Sequence, residues 1–367
     1  MTDAGWVRTR DLDYIVDRLA GEFPSLDGRH LLITGGGGFL GYYLVQSALH
    51  WNNHRAREPV RITLIYNFQR GVPDWISGLG AGVALVSHNV TEPFPADIEA
   101  VDYLIHAAGI ASPGLYRRIP IETMDANVGG LRRLLDYSVR QAEDGHPLSG
   151  FLFYSSSEIY GDPVASAIPT PESYRGNVSC TGPRACYDES KRFGETLSVN
   201  FARVYGLPVT IARPFNNYGP GMKINDGRVI ADFARAVISD ETIVILSDGS
   251  PTRTFCYVAD AIVGYFKVLF RGRPGEPYNI GTEGPEISMS DLAGLMAKLG
   301  RELFGYAEDV RLGISQEADY LIDNPNRRCP DLTKARSELG YRPEVGLEEG
   351  LRRTLLWYRA NSVPVGA

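Results

Sequence analysis

Tyr187 and Lys191 are the two residues whose types and spacing most directly predict chemistry. They lie in segment 182–195, which reads GPRACYDESKRFGE and has helical character. Side chains at i and i+4 share one face of a helix. A lysine ammonium held near a phenol stabilises the phenolate, so a tyrosine that ordinarily titrates near pH ~10 can act as a base at neutral pH. An isolated pair of this kind is more often a solvated helix face, so its sequence context is needed.

A glycine-rich turn upstream predicts the binding site of a dinucleotide. Residues 30–34 (HLLIT) form a short apolar strand that runs into GGGGFLG and then into a helical stretch to about residue 49. In such a site the glycines let the backbone approach a pyrophosphate, whose charge lies against the helix N-terminus. The residues predicted to contact the cofactor in this turn are Gly35, Gly38, Phe39, Leu40 and Gly41.

The next strand ends without the carboxylate that dinucleotide sites use for the adenosine ribose. Residues 61–66 (RITLIY) form this strand, so Tyr66 stands at the position of the acid and Asn67 follows it. Arg70 lies nearby. NAD is the predicted cofactor, and NADP stays open as an alternative because a cation near the ribose suits a 2′-phosphate.

The order of the predicted elements indicates the fold class. Apolar strands at 83–87, 103–107 and 151–154 alternate with a helix around 124–141. This alternation is typical of an α/β protein with a Rossmann-type, doubly wound parallel sheet. Such sheets bind ligands beyond the carboxyl ends of their strands. Because HAAG at 106–109 and SSSE at 155–158 both directly follow strands, we expect them to line one crevice.

A change of texture after residue 212 predicts a second, smaller α/β lobe that binds substrate. Proline and glycine cluster in RPFNNYGPGMKINDGR, and strands no longer alternate cleanly with helices. Residues 11–23 show the period of an amphipathic helix. The predicted domains are an N-terminal helical extension at 1–29, a Rossmann domain at 30–212, and the substrate lobe at 213–367, of which about 256–282 partly returns to the first domain.

Composition excludes several classes of function. The chain has 367 residues and a net charge of −7, whereas a general nucleic-acid binder needs clustered cations, so no nucleic-acid partner is predicted. The N-terminal segment lacks the apolar core of a signal peptide, and no apolar run is long enough to span a bilayer. The four cysteines form no CxxC and no metal-ligand spacing. We therefore expect a cytoplasmic protein with reduced thiols and no metal site.

Five motifs in order carry a family resemblance: TGGGGFLG, SSSEIYG, YDESK, RPFNNYGP and TRTFCYV. From about residue 30 to its end, the chain resembles the extended short-chain dehydrogenase/reductase family, the NAD-dependent epimerases and dehydratases that act on nucleotide sugars. The longer strings GPRACYDESKR, NDGRVI and NRRCPDL are most similar to the members that convert UDP-glucuronate to UDP-xylose.

The resemblance implies a reaction sequence and roles for five residues. NAD would accept a hydride from C4 of the sugar while Tyr187, activated by Lys191, removes the O4 proton and Ser156 hydrogen-bonds that oxygen. The 4-ketone makes the C5 carboxylate a β-keto acid, which loses CO₂ and leaves an enolate that the site stabilises electrostatically. Glu158 is the candidate for handling the proton that C5 receives. Arg328 would engage the carboxylate, which suits a planar guanidinium.

The resemblance also implies binding residues and an assembly. The nucleotide-sugar substrate would contact Asn216, Arg228 and Arg253. Further cofactor contacts would come from Asn67, Arg70, Asn89, Ala107, Ala108, Asn127 and Lys191. Related enzymes are commonly dimers joined through helices that correspond here to about 124–141 and 187–204, so a homodimer is expected.

Several positions depart from the family pattern. Ser156 stands where threonine is usual, Tyr66 and Asn89 stand where acids are expected near the adenosine, Leu246 replaces an aromatic that flanks the base, and Gly221 replaces an arginine. Looser contacts would let the 4-keto intermediate leave before the hydride returns. A mixture of UDP-xylose and released UDP-4-keto-pentose is therefore predicted.

Three other functions stay open. A nucleotide-sugar 4,6-dehydratase needs an acid directly before the glutamate, and Ser157 stands there. A 4-epimerase rarely carries a glutamate at the position of Glu158. A non-catalytic dinucleotide-binding protein would need neither Tyr187 nor Lys191. Release of CO₂ from UDP-glucuronate distinguishes the decarboxylase from all three.

Overall fold

The strands are numbered along the chain of the computed structural model, which describes residues 4–68, 71–80, 82–313, 315 and 322–361. They are β1 (His30–Thr34), β2 (Arg61–Tyr66), β3 (Val83–Ser87), β4 (Tyr103–His106), β5 (Gly150–Tyr154), β6 (Val209–Pro214), β7 (Asn217–Tyr218), β8 (Ile243–Ile245), β9 (Thr252–Arg253), β10 (Cys256–Tyr257), β11 (Pro277–Ile280), β12 (Ile287–Ser288), β13 (Val310–Leu312) and β14 (Arg327–Arg328).

The helices are numbered in the same way. They are α1 (Ala4–Arg18), α2 (Phe39–His54), α3 (Pro113–Tyr116), α4 (Pro120–Met124), α5 (Leu131–Glu143), α6 (Ala185–Tyr205), α7 (Val229–Ser239), α8 (Val258–Arg271), α9 (Met289–Phe304), α10 (Thr333–Leu339) and α11 (Leu347–Asn361). A π-helical segment, Asp125–Gly130, joins α4 to α5, and a 3-10 turn, Ser157–Tyr160, follows β5.

Seven strands form one parallel sheet in the order β11-β6-β5-β4-β1-β2-β3. This confirms the predicted α/β class with a Rossmann-type, doubly wound sheet. From β1 the chain builds outward through β2 and β3, and then returns to the other side of β1 with β4. The strand order therefore reverses between β1 and β4, and a ligand crevice forms at such a switch point.

The central strands are buried on both faces because helices cover the sheet on both sides. Every residue of β1 and β5 is buried, which explains why their sequences read as near-continuous apolar runs. Along β1, Leu31 and Ile33 pack into the core on one face, while Leu32 packs into the core on the other. This alternation follows from the two-residue period of a strand.

Close packing of α6 against β5 positions the predicted base. Gly194 of α6 faces Phe153, and a Cβ at this glycine would lie 2.6 Å from the phenyl ring. The absence of a side chain lets the helix approach the strand. The helix ends at Gly206, whose φ of +69° is the left-handed conformation typical of a helix C-terminus.

The N-terminal helix begins earlier than its sequence pattern indicated. The apolar period predicted a helix at 11–23, but α1 spans Ala4–Arg18. Its first turns were missed because Val7 is the one buried apolar residue in the described part of that stretch. Leu12, Ile15 and Val16 are buried as the period predicted, and α1 packs on α2, α8 and α11.

A smaller lobe follows β6, made of short sheets in which β7 pairs with β10, β8 with β13, and β9 with both β12 and β14. Between these pieces the chain returns to the main sheet, where β11 pairs with β6 and α8 packs on β5 and β6. Within the described ranges, none of the helices is both long and apolar enough to cross a membrane.

Candidate active site

One large cavity, with a volume of about 1900 Å³, lies at the carboxyl edge of the main sheet. Its wall includes residues that directly follow β1, β2, β4 and β5, so both predicted crevice segments line it. The smaller lobe closes the other side with residues around 216–230 and with Arg253 and Arg328. The cavity therefore lies where the reversal of strand order predicts a ligand.

The turn after β1 is shaped to receive a pyrophosphate. Gly35 has a φ of +74°, and a Cβ there would lie 2.6 Å from the backbone of Ala108, so a larger residue does not fit. The N-cap of α2 is Gly38, and no described side chain caps this helix. The N–H groups of its first turn are thus available to an anion, which the helix dipole also favours. These residues fit a bound dinucleotide.

The other predicted cofactor residues are partly brought together. Asn67, Asn89, Ala107 and Ala108 line the cavity near the glycine turn. Asn127 is instead fully buried in the π-helical segment, where its Nδ2 donates to Ser190 Oγ at 2.9 Å. Arg70 lies outside the described residues. The structure thus gathers most of these positions on one wall of the cavity.

Tyr187 and Lys191 are both buried in the first half of α6. The Lys191 Nζ donates to the carbonyl of Tyr154 at 2.9 Å and lies 5.8 Å from the ring centre of Tyr187. Both side chains line the cavity. The end of β5 therefore orients the ammonium beside the phenol.

Burial dominates the protonation of this pair. It raises the pKa of Tyr187 to about 12, although the nearby hydroxyl of Ser156 opposes the change, and it lowers the pKa of Lys191 to about 8. Burial disfavours the charged phenolate, so Tyr187 is protonated at neutral pH in the protein without ligands. That Lys191 makes Tyr187 a base during the reaction stays a prediction.

Ser156 lies in the turn after β5 and faces Tyr187. Its Oγ accepts the N–H of Glu158 at 3.2 Å, which caps the 3-10 turn. The same hydroxyl lies close enough to the phenol of Tyr187 to oppose the rise of its pKa. The Ser156 hydroxyl and the Tyr187 phenol thus lie next to each other, so that both could contact the same oxygen of a bound sugar.

Glu158 is held between two arginines. Both guanidinium arms of Arg328 bond to it, with Nη2 2.6 Å from Oε2, and Nη2 of Arg184 donates to the same Oε2. Burial acts to raise the pKa of Glu158, but the charges of Arg184 and Arg328 outweigh it and hold that pKa well below its usual range. Glu158 is therefore ionised at neutral pH, and both of its oxygens are engaged.

Three residues at this site were missed by reasoning from the sequence. Arg184 precedes Tyr187 by three positions, a spacing that could have revealed it. Asp188 lies 3.8 Å from Arg184, and burial raises its pKa to about 7. Tyr116 stacks on Tyr187 with ring centres 5.1 Å apart. No local signal marks Tyr116, because its partner comes from a distant part of the chain.

The predicted substrate residues line the side of the cavity that the smaller lobe forms. Nδ2 of Asn216 donates to the Thr254 carbonyl at 3.1 Å, which leaves its amide oxygen for a ligand. The Nε of Arg228 lies 3.0 Å from Oδ1 of Asp226 and forms an ion pair with it. Arg253 donates to the Asn326 carbonyl at 3.0 Å, and burial together with the charge of Arg328 lowers its pKa to about 9.

The fold and the site together define a class of enzyme. In the described part of the chain, no three or more His, Cys, Asp or Glu side chains are grouped so that they could hold a metal ion. A glycine turn after β1 and a buried Tyr–Lys pair across the same crevice are the features of a dinucleotide-dependent enzyme of the short-chain dehydrogenase type. The chain belongs to the NAD dependent epimerase/dehydratase family, whose model matches residues 31–281. NAD is accordingly its cofactor, which confirms that prediction.

Known relatives share this fold and carry out different reactions. The chain is 37% identical over 325 residues to UDP-glucuronic acid decarboxylase 5 of Arabidopsis thaliana, and the match covers 88% of this chain and 86% of that relative. It is 35% identical to UDP-glucuronic acid decarboxylase 1 of Xenopus tropicalis, with 91% of this chain and 73% of that relative covered. A UDP-glucose 4-epimerase of Thermotoga maritima, solved with UDP-glucose, superposes with a TM-score of 0.75 at 26% identity, with 90% of this chain and 98% of that chain covered. The predicted resemblance is thus confirmed.

The lowered pKa of Lys191 predicts that burial of its ammonium makes the folded protein less stable at neutral pH. The folded-state pKa of about 8 lies below the ordinary 10.5, so burial of the ammonium lowers stability fully below pH 8, and this cost disappears as the pH rises toward 10.5. Lys191→Met should therefore raise the Tm of cofactor-free protein at pH 7 by about 3 °C. Loss of the bond to Tyr154 offsets part of the gain. At pH 10 the gain should vanish.

Calorimetry at the two pH values measures this effect. Lys267→Met is the matched control, because Lys267 is a buried lysine that pairs with Glu22 at 2.7 Å. Breaking that pair should lower the Tm at both pH values. An unchanged or lower Tm for Lys191→Met at pH 7 would contradict the assigned cause of its pKa shift.

Proposed function

We propose that this protein is an NAD-dependent decarboxylase of UDP-glucuronate. The observation that carries the proposal is the group of three buried arginines around Glu158. Arg184 and Arg328 both bond to that carboxylate, Asp188 lies 3.8 Å from Arg184, and Arg253 has its pKa lowered by burial and then by Arg328. The three guanidinium groups thus outnumber the carboxylates of Glu158 and Asp188. A substrate with both a diphosphate and a sugar carboxylate would supply further negative charge.

The chain's own residues fit oxidation at C4. Bound NAD would supply the acceptor for the hydride from C4, and its nicotinamide ring would bring a positive charge to the cleft. Tyr187 accepts the O4 proton, and Ser156, whose hydroxyl lies next to the phenol, donates to or accepts from the same oxygen. Lys191 is largely an ammonium at neutral pH and stabilises the phenolate that proton removal requires.

The arginine cluster fits the loss of CO₂. Once C4 is a ketone, the bond between C5 and the carboxylate breaks, its electrons pass into an enolate on O4, and CO₂ leaves. Tyr187 and Ser156 hydrogen-bond the enolate oxygen, where developing charge is stabilised most. Protonation at C5, return of the hydride to C4 and transfer of the proton from Tyr187 back to O4 would complete UDP-xylose.

Glu158 and Arg328 couple carboxylate binding to proton affinity. In the free protein Arg328 is bonded to Glu158, so a substrate carboxylate that pairs with Arg328 takes over a partner of Glu158. Glu158 then loses one of the two charges that hold its pKa low. This exchange would allow Glu158 to handle a proton only when the substrate is present, in line with its predicted role.

The competing reactions have less support. A 4,6-dehydratase needs an acid before the glutamate, and Ser157 is a buried hydroxyl in the 3-10 turn. The solved epimerase shares the fold at only 26% identity, while the relatives at 35% and 37% are named as decarboxylases. A non-catalytic role leaves the buried Tyr187 and Lys191 without a purpose, although their burial costs stability.

We also propose that the protein is a homodimer joined through α6 and its neighbours. Phe193 and Val204 are exposed apolar residues on one face of α6, with partly buried Leu197 between them, and α4, which packs on α6, adds exposed Ile121. A second copy would cover this surface. Light scattering should give twice the chain mass for the wild type and the chain mass for Phe193→Lys/Val204→Lys. A monomeric wild type would overturn the proposal.

A cytoplasmic location fits the state of the cysteines. All four are free thiols, and two of them, Cys256 and Cys329, are buried. A reducing compartment preserves such thiols. Fractionation of cells that produce the protein tests this location, and recovery with secreted proteins would contradict it.

The Tyr187→Phe variant tests the reaction and its base together. Wild type incubated with UDP-glucuronate and NAD should release CO₂, and mass spectrometry should resolve UDP-xylose from released UDP-4-keto-pentose. The variant should lose nearly all CO₂ release yet bind the nucleotide sugar within about threefold, because one proton acceptor is lost and the ring remains. Tyr116→Phe is a matched control for removal of a buried hydroxyl. A variant that keeps more than a few per cent of CO₂ release would exclude Tyr187 as the base.

Arg328→Ala should impair decarboxylation by about a hundredfold, because the substrate carboxylate loses its partner. Arg328→Lys should recover only part of the rate, since an ammonium lacks the planar fork. Arg327→Ala is the control, because Arg327 is the exposed neighbour and pairs with Glu286 at 2.8 Å. Equal rates of CO₂ release from Arg328→Ala and wild type would contradict the predicted contact between Arg328 and the substrate carboxylate.

A further inference from the structure

The N-terminal helix borders the cofactor cavity although it lies outside the matched family region. The family model covers residues 31–281, and α1 spans Ala4–Arg18. Gly5 and Arg8 of this helix line the same cavity as the glycine turn. Arg8 therefore brings a positive charge to a ligand site from a part of the chain that the family model does not describe.

Two consecutive tyrosines of α2 fix the turn of α1 that carries Arg8. Tyr43 donates to Oδ2 of Asp11 at 2.9 Å, and the charge of Arg8 lies close enough to Tyr42 to act on the pKa of its phenol. Positions 8 and 11 share one face of a helix. Asp11 is fully buried and also accepts from Tyr257 at 2.6 Å. A buried, multiply bonded carboxylate is hard to displace, so this turn of α1 holds one position.

The contact with Tyr42 locates Arg8 on the dinucleotide side of the cavity. Tyr42 lies within the first turns of α2, whose uncapped N-terminus begins at Phe39. The ring of Tyr42 packs edge-on against Trp75, with centres 5.2 Å apart, and Trp75 lines the cavity beyond β2. Arg8 thus lines the cavity near the N-terminus of α2, on the side of Tyr42 and Trp75. An anion bound there is the one that the helix dipole attracts.

We propose that Arg8 is a cofactor-binding residue whose guanidinium contacts a phosphate of the bound dinucleotide. Charge-assisted bonds between a guanidinium and phosphate oxygens are strong and directional. The contact carries more weight here because β2 ends in Tyr66, so the carboxylate that usually binds the adenosine ribose is absent. Arg8 compensates for that loss from a different element of the fold.

Binding measured without turnover tests the proposal. Cofactor-free Arg8→Ala and wild type are titrated with NAD⁺, NADP⁺ and UDP by calorimetry. Arg8→Ala should raise the Kd for NAD⁺ by about tenfold and leave the Kd for UDP unchanged. Equal weakening of NAD⁺ and NADP⁺ identifies the pyrophosphate as the contact, whereas weakening of NADP⁺ alone would overturn the proposal, because Arg8 would then contact no phosphate of NAD⁺. Because no sugar is converted, the result does not depend on the proposed decarboxylation.

Arg10→Ala is the matched control on the same helix. Arg10 pairs with Glu349 at 3.3 Å and covers the ring of Trp6 at 4.9 Å, so its removal should leave all three Kd values unchanged. Equal Kd values for NAD⁺ and NADP⁺ in Arg8→Ala and wild type would overturn the proposal. An equal rise in the Kd for UDP would overturn it as well, since the loss would then not be specific to the dinucleotide.

Two further variants separate a direct contact from support of Tyr42. Tyr42→Phe removes the hydroxyl beside Arg8 but keeps the charge of Arg8, so its Kd for NAD⁺ should rise less than that of Arg8→Ala. Arg8→Glu should bind NAD⁺ more weakly than Arg8→Ala, because a carboxylate repels phosphate. If Tyr42→Phe matches Arg8→Ala and Arg8→Glu is no worse, Arg8 merely supports Tyr42 and the proposal fails.

Discussion

The buried carboxylate of Glu158 joins three distant parts of the chain into one site. It comes from the turn after β5, while its partners Arg184 and Arg328 come from the start of α6 and from β14. Removing three charges from water is costly, and their mutual attraction must compensate. Loss of Glu158 would remove the shared partner of both arginines, whereas loss of one arginine leaves Glu158 paired with the other. The placement of Arg184 and Arg328 in the cavity therefore depends on Glu158.

Burial shifts the pKa values of three side chains in the cavity of the protein without ligands. It raises the pKa of Tyr187 and lowers the pKa values of Lys191 and Arg253. A negative charge in the cavity would raise the pKa values of Lys191 and Arg253 toward their ordinary values, whereas only a positive charge near Tyr187 would lower the pKa of its phenol. The nicotinamide ring of NAD⁺ carries a positive charge, while its pyrophosphate and a sugar nucleotide are anionic. These ligands therefore bring both signs of charge to a cavity in which burial shifts the pKa values of all three side chains.

The N-terminal helix connects the two halves of the molecule. Asp11 bonds to Tyr43 of α2 and to Arg353 of α11, at 2.9 Å in each case, and the hydroxyl of Tyr14 donates to Asp260 of α8 at 2.6 Å. The helix thus lines the cavity and is also bonded to three other helices of the protein.

The sequence by itself determined the sheet, the glycine turn and the Tyr–Lys pair, since each depends on spacing within a short segment: apolar runs, glycines before a helix, and i to i+4 on one helix face. Family motifs added Ser156, Glu158 and Arg328. Only the tertiary structure decided that Arg328 faces Glu158, that Tyr116 stacks on Tyr187, and that Arg8 reaches the cofactor cavity. It also decided that the pKa of Tyr187 rises, because burial is a property of the packed interior and contacts between distant residues leave no local pattern.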